Sequence, residues 1–193
     1  VKSDWKDYQY HEAGGKPIHI FDNLLTEAEL QYMYGWCVKN RMFGWNGRDT
    51  SRPEHATDYN LALRMSAQEG LTSPLMKSEN VQKYVQPLVK NRIVAQARIN
   101  LCTIQDRNHF HVDLVEGGLT LLYYPNMEWH REWGGYTLFS NDSGDGVDFT
   151  SFYKPGRVII FDSRISHCIV AGTHEAPFYR ISFVIQYLNE EGS

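Results

Sequence analysis

The second half of the chain constrains its fold most. From Arg92 to Leu188 the sequence divides into eight short runs rich in Val, Ile, Thr, Tyr and Phe: "RIVAQARINLCTI", "HFHVD", "LTLLYY", "GGYTLFS", "VDFTSFY", "RVIIFD", "SHCIVAG" and "YRISFVIQYL". Gly, Asn, Asp and Pro punctuate them at short intervals. Eight short strands with turn signals between them predict a sandwich or barrel.

The first half reads differently. "PIHIFDNLL" (17–25) alternates like a strand. Thr26 and Glu29 fit a capping box, and Leu30, Met33, Tyr34 and Cys37 fall on one stripe, which predicts a helix starting at Thr26. A second helix is expected over 78–91, bent or broken at Pro87. Residues 43–65 are rich in Gly, Asn, Asp, Arg and Trp and read as a long loop, which in compact domains is usually functional or disordered. The expected fold is mainly β with flanking helices. A single domain over 1–193 is expected, with a helical part over about 1–91 packed outside one sheet of a strand-rich core, a sandwich or barrel, over about 92–188.

Charge and cysteine content narrow the partners. The net charge of −4 and the lack of a basic run exclude a nucleic-acid footprint. No apolar stretch reaches the length of a membrane span or a signal-peptide core, so no membrane partner is expected. Cys37, Cys102 and Cys168 are odd in number and lack C-x-x-C spacing. That pattern argues against a disulfide framework and for a reducing, cytoplasmic setting.

The stretch "NHFHVDLVEGG" puts His109, His111 and Asp113 on alternate residues, which share one face of an extended segment. His111 and Asp113 can reach one metal ion together, and His167 follows the apolar strand "RVIIFD" that can return it to the same place. Two imidazoles and one carboxylate on one side of a metal leave the opposite positions open, the facial triad of non-haem Fe(II) oxygenases. An isolated H-x-D is common by chance, so the weight comes from further residues. Arg180 and Ser182 share a strand face in "FYRISF". An inward arginine requires an anion, and a guanidinium beside a hydroxyl suits a carboxylate. The bland alternative is a strand-end arginine paired with Glu175. Tyr124 shares a face with Leu122 and Thr120, and its phenol can donate to the same carboxylate as Arg180. "KPGRVIIFDSRISH" delivers Asp162, Ser163 and Arg164 just ahead of His167, and the paired glycines of "EWGGYTLF" permit close backbone approach. A rival ligand set is His109, His111, Glu116 and His167, the H-x-H-x4-E pattern of cupins, which bind metal on a jelly-roll without 2-oxoglutarate. The glycine spacing after it fits poorly, and it has no use for an inward Arg180.

From about Asn91 to Leu188 the chain resembles the 2-oxoglutarate/Fe(II)-dependent oxygenase superfamily, especially its prolyl-4-hydroxylase-like branch. The positions that match its motif are His111, Asp113, His167 and Arg180, with Tyr124 at the tyrosine of its "YY-x-N" strand. The resemblance implies a double-stranded β-helix (a jelly-roll of eight strands) buttressed on one sheet by N-terminal helices. It implies Fe(II) held by His111, Asp113 and His167, and 2-oxoglutarate held by Arg180, Tyr124 and Ser182. It also implies O2 as co-substrate, ascorbate as a supporting reductant, and oxidative decarboxylation to succinate and CO2 coupled to hydroxylation or a related C–H oxidation. Halogenation is disfavoured, because Asp113 fills the position that halogenases of this class vacate.

Two departures stand out. The interval from His167 to Arg180 is longer than usual, so "GTHEAP" is expected to form a bulged loop. The tyrosine common on the strand before H-x-D is missing from "ARINLCTI", which leaves Asn100 or Arg98 for that cosubstrate contact. The first ninety or so residues carry little of the resemblance. In this superfamily loops choose the substrate. His109, Arg164, Trp129, His130, Trp45 and Arg48 are expected to face it, and they suit a polar or anionic small molecule, with a peptidyl residue as the alternative. His174 is expected to be a solvated loop residue and the fallback distal ligand. His55 belongs at the site mouth, and His11 and His19 read as structural or exposed.

Overall fold

The structure is a computed structural model and describes residues 2–39, 43–46, 60–106, 109–114 and 117–189. Arg48, Arg52, His55 and Glu116 lie outside these residues, as does the side chain of Trp45.

A first hairpin pairs β1 (Tyr8–Ala13) with β2 (Lys16–Phe21). Gly14 and Gly15 join them at φ +53° and +66°, the left-handed pair that a tight two-residue turn demands. Helix α1 (Glu27–Val38) follows, opened by the expected capping box: Glu29 N–H donates to Thr26 Oγ1, and Thr26 N–H donates to the Glu29 carboxylate. Strands β3 (Gly44–Asn46) and β4 (Asn60–Met65) pair with each other at the two ends of the stretch read as a loop. Four short helices come next: α2 (Ala67–Leu71), α3 (Pro74–Lys77), α4 (Glu79–Tyr84) and α5 (Gln86–Val89). The expected second helix is therefore broken at Val85. Pro87 has no N–H to continue α4 and instead sits in the first turn of α5, where none is needed.

The remaining strands are β5 (Arg92–Cys102), β6 (Gly118–Tyr123), β7 (Thr137–Ser140), β8 (Val147–Ser151), β9 (Val158–Asp162), β10 (His167–Ile169) and β11 (Arg180–Asn189). They form an eight-stranded antiparallel sheet in the order β1-β2-β9-β6-β11-β5-β4-β3 and a three-stranded sheet in the order β10-β7-β8. The fold is mainly β, a double-stranded β-helix with helices packed on one sheet. The first 91 residues are not a purely helical buttress, because β1, β2, β3 and β4 extend the large sheet at both edges. "HFHVD" does not form a strand. His111 and His167 exchange both backbone bonds (3.0 and 2.9 Å), but Asp113 and Leu114 turn their N–H groups to Ser163 O, so the ladder ends after one pair. "GTHEAP" belongs to the connection that carries the chain from β10 in the small sheet to β11 in the large one.

The large sheet separates two cores. On its outer face Ile181, Phe183, Ile185 and Tyr187 of β11 pack with Ala97, Ile99 and Leu101 of β5 under Met33, Leu75, Val81 and Val89 of the helices. On its inner face Leu122, Ile159, Phe161 and Val184 pack with Phe139 of the small sheet. Alternate residues of one strand thus enter different cores, as the two-residue strand period requires. Cys37, Cys102 and Cys168 are all buried free thiols. Among the described residues no helix is long and apolar enough to cross a membrane.

Candidate functional site

The single bridge between His111 and His167 sets the site. It places their rings 4.5 Å apart between centroids, and Asp113 follows His111 by two residues. Ligating atoms of His111, Asp113 and His167 all lie within 4.8 Å of one another. Each histidine is fixed through Nδ1, which lies 3.0 Å from a backbone carbonyl: that of His109 for His111, and that of Ile165 for His167. A carbonyl only accepts, so Nδ1 carries the proton and Nε2 keeps its lone pair for a cation. Both Nε2 atoms turn to Asp113, at 3.9 Å from Oδ1 and 3.7 Å from Oδ2.

The surroundings set the charge of these groups. Phe139 and Phe161 pack around His167, and burial pushes its pKa down from 6.5 to about 4, so the imidazole is neutral at pH 7. Burial alone would raise the Asp113 carboxyl. The positive charge that His167 takes up in acid, the Arg98 guanidinium and a hydrogen bond from Thr120 outweigh it and hold that carboxyl below its ordinary value. Thr120 Oγ1 donates to Asp113 Oδ2 at 2.7 Å, and Arg98 Nη2 lies 3.4 Å from Oδ1. Two imidazole nitrogens and one carboxylate form a hard-to-borderline donor set that fits Fe(II) and leaves positions free.

Deeper in the inner core, Arg180 is 2% exposed. Its Nε donates to Gly135 O (2.9 Å) and its Nη2 to Thr137 Oγ1 (3.2 Å), while Nη1 has no partner. The guanidinium carbon lies 5.1 Å from the ring centroids of both Tyr124 and Tyr153, which stack on each other at 4.3 Å. Among the described residues it has no carboxylate, so the strand-end pairing with Glu175 does not occur. Ser182 and Asn100 stand opposite each other in the β5–β11 register, and Ser182 Oγ and Asn100 Oδ1 are also buried without partners. A buried cation beside unpaired polar atoms is costly unless an anion joins it. This region therefore fits an acid such as 2-oxoglutarate. Gly135 makes the approach possible: at φ +73° it brings its carbonyl to Arg180, and a Cβ there would strike the Trp129 ring.

The other expected residues are placed as follows. Tyr124 OH bonds to Thr137 Oγ1 at 2.8 Å, so it joins the Arg180 network through that threonine. His109 is exposed and supplies its carbonyl to His111. Arg164 is held by Asp162 in a two-point ion pair (3.0 and 2.7 Å). Trp129 donates to Gly134 O and packs on Tyr153, forming a wall behind the arginine slot. His130 is exposed beside Glu128 and Trp133, and His174 is exposed in its loop. The sequence reading missed Thr120 as the carboxylate's partner, Thr137 and Gly135 as those of Arg180, and Tyr153. Only Thr120 left a signal, through its inward strand face. The other partnerships depend on how the two sheets are brought together.

Fold and site together define a double-stranded β-helix of the architecture used by 2-oxoglutarate-Fe(II) oxygenases. Among solved structures, the chain is similar to a Pseudomonas putida prolyl-4-hydroxylase, with a TM-score of 0.62 and 12% identity over 90% of this chain and 92% of that one. A prolyl hydroxylase from Trichoplax adhaerens, solved with a peptide fragment of the hypoxia inducible factor oxygen degradation domain, gives 0.57 and 15% over 90% and 84%. The alpha-ketoglutarate-dependent epimerase SnoN of nogalamycin biosynthesis gives 0.61 and 10% over 89% and 76%. At these identities the likeness establishes the fold. No family model matches the chain, and neither does any curated protein sequence.

Proposed function

We propose that the protein is a non-haem Fe(II)- and 2-oxoglutarate-dependent dioxygenase that hydroxylates, or otherwise oxidises at a C–H bond, a polar small molecule or a peptidyl residue. One observation carries this reading: a His111–Asp113–His167 cluster lies against the inner sheet face, through Thr120, and that face also buries an arginine, Arg180, that has no carboxylate partner among the described residues. Iron and 2-oxoglutarate, when bound, supply activation of O2 coupled to decarboxylation of the keto acid to succinate and CO2.

The chain's own residues do the rest. Nε2 of His111, Nε2 of His167 and the Asp113 carboxylate hold the metal, and Thr120 fixes the carboxylate's orientation. Arg180 pairs with the far carboxylate of the keto acid, with Ser182 and Asn100 as further polar contacts. Tyr124 and Thr137 hold the guanidinium in place. Phe139 and Phe161 exclude water from the His167 side. A peptidyl substrate parallels the peptide bound in the Trichoplax structure. The charge balance and the free cysteines suit a cytoplasmic enzyme without nucleic-acid partners, and ascorbate would serve as a supporting reductant. No observation favours the cupin set, since Glu116 lies outside the described residues and His109 is not in the cluster.

Anaerobic titration with Fe(II) and 2-oxoglutarate tests the reading. A visible charge-transfer band should appear only when both are present. It should vanish in His111→Ala and Asp113→Ala, while Arg180→Ala should keep iron and weaken 2-oxoglutarate binding. A wild-type protein that gives no band, or a band unchanged in Asp113→Ala, overturns it.

A further inference from the structure

A second arginine stands at the other end of the same sheet face. In the β5–β11 register Arg180 lies opposite Cys102, and Arg98 lies opposite Val184. Four residues of extended chain separate Arg98 from Cys102, which puts the two attachment points about 13 Å apart. Arg180 is sealed in its slot, whereas the Arg98 side chain is 20% exposed. It meets Asp113 on Oδ1, the oxygen that also faces the half-exposed His111, while the closed side of the carboxylate faces His167 and Thr120. Arg98 therefore borders the open flank of the metal cluster.

Its present interactions are poor for a guanidinium. The 3.4 Å contact with Asp113 is long for a charge-assisted hydrogen bond, and the Arg98 Nε is buried with no partner. The charges near the metal point the same way. A divalent ion and Arg180 are balanced by Asp113 and a dianionic keto acid, which leaves Arg98 unmatched among these groups.

We propose that Arg98 binds a carboxylate of the prime substrate, and that the substrate is a small carboxylic acid rather than a neutral molecule or an internal peptidyl residue. The proposal rests on the dioxygenase reading and deepens it. A single guanidinium fork matches one carboxylate in two parallel hydrogen bonds. It also places Arg98 at the substrate end of the site and leaves Asn100 for the cosubstrate end.

The test uses protein loaded anaerobically with Fe(II) and saturating 2-oxoglutarate, so that Arg180 is occupied. Propionate and propionamide, alike in size and different in charge, are titrated by calorimetry while the charge-transfer band is followed. Propionate should bind saturably with the band retained, and propionamide should not bind. Arg98→Gln should weaken propionate binding about tenfold or more, as expected for loss of a charged hydrogen bond, and leave the band intact. Arg98→Lys, which keeps the charge, should retain part of the preference. Equal behaviour of the two probes, or propionate binding that survives Arg98→Gln, overturns the proposal. So does a band lost in Arg98→Gln, because Arg98 would then be positioning Asp113. A wild-type protein without the band is a separate result that overturns the dioxygenase reading beneath it.

Discussion

Strands β5, β6 and β11 carry two faces of opposite chemistry at nearly equal burial. Outward they present Ala97, Ile99, Leu121, Phe183 and Ile185, each 0% exposed, to the helices. Inward they present Asn100, Thr120, Arg180 and Ser182, each at most 7% exposed. Burial therefore does not tell the faces apart, and the chemistry of what is buried does. An apolar face gains stability from every residue it hides. The inner face hides a guanidinium nitrogen, a hydroxyl and an amide oxygen without partners, groups that each cost free energy in the folded chain. In the proposed reading a ligand satisfies these groups, and polarity at constant burial marks the site.

Substitutions on each face should separate stability from binding. The largest effect is expected for Phe183→Ala, which empties a fully buried outer position where Trp36 packs edge-on at 5.6 Å. Urea unfolding should show a loss of about 3–5 kcal/mol. Under conditions where the variant remains folded, its iron affinity should be unchanged. Loss of iron binding in the folded variant would mean that the two faces are coupled. Thr120→Val acts on the other face. It removes the hydrogen bond to Asp113 at nearly constant shape, and it should weaken metal binding about 10- to 100-fold. A stability loss as large as that of Phe183→Ala would show that Thr120 serves packing instead.

Acid should also act through the inner face. His167 has its pKa held below 6.5, at about 4, chiefly by burial. Between those values the unfolded chain binds more protons than the folded one, so stability falls as pH drops from about 6.5 toward about 4. Asp113, whose carboxyl is held low, contributes in the same direction only at still lower pH. His19, also lowered by burial, acts in the same direction. Unfolding of metal-free protein across this range should show the slope, and His167→Gln should reduce it. A slope unchanged in that variant would place the titrating group elsewhere.

The inner face was more legible in the sequence than the outer half of the fold. H-x-D, the later His167 and the inward Arg180 are chemical anomalies on strands, and an anomaly can be read without knowing the neighbours. The strand-rich half was legible because its turn residues are dense. β1 was not, although Gly14-Gly15 is a hairpin signal, because its polar surface alternates weakly: only Ala13 of its six residues is buried. The capping box of Ser66 and Glu69 was likewise present before a helix too short to show a stripe. Strand β4 was masked by the polar stretch ahead of it, and its Leu61, Leu63 and Met65 become intelligible only against β5 and the outer core. Partners such as Thr137 and Gly135 depend on how the small sheet meets the large one, which no local pattern encodes.

The smallest expected effects give the sharpest form of the comparison, because orphaned polar atoms occur on both faces. Tyr187 OH is buried and unpartnered on the outer side, as Ser182 Oγ is on the inner. Burial raises the Tyr187 phenol well above its ordinary value, so it stays a neutral hydroxyl among apolar groups. Removing an unpaired buried hydroxyl without changing shape is neutral or mildly stabilising. Tyr187→Phe should therefore shift stability by about 1 kcal/mol or less, in the stabilising direction, and leave 2-oxoglutarate affinity alone. Ser182→Ala should be equally mild for stability of the ligand-free protein, yet weaken 2-oxoglutarate binding by roughly three- to tenfold, the worth of one hydrogen bond. Parallel calorimetry on the two variants decides the matter. If both leave 2-oxoglutarate binding untouched, the unpaired atoms of the inner face are not waiting for the acid, and polarity at constant burial loses its value as a marker of this site.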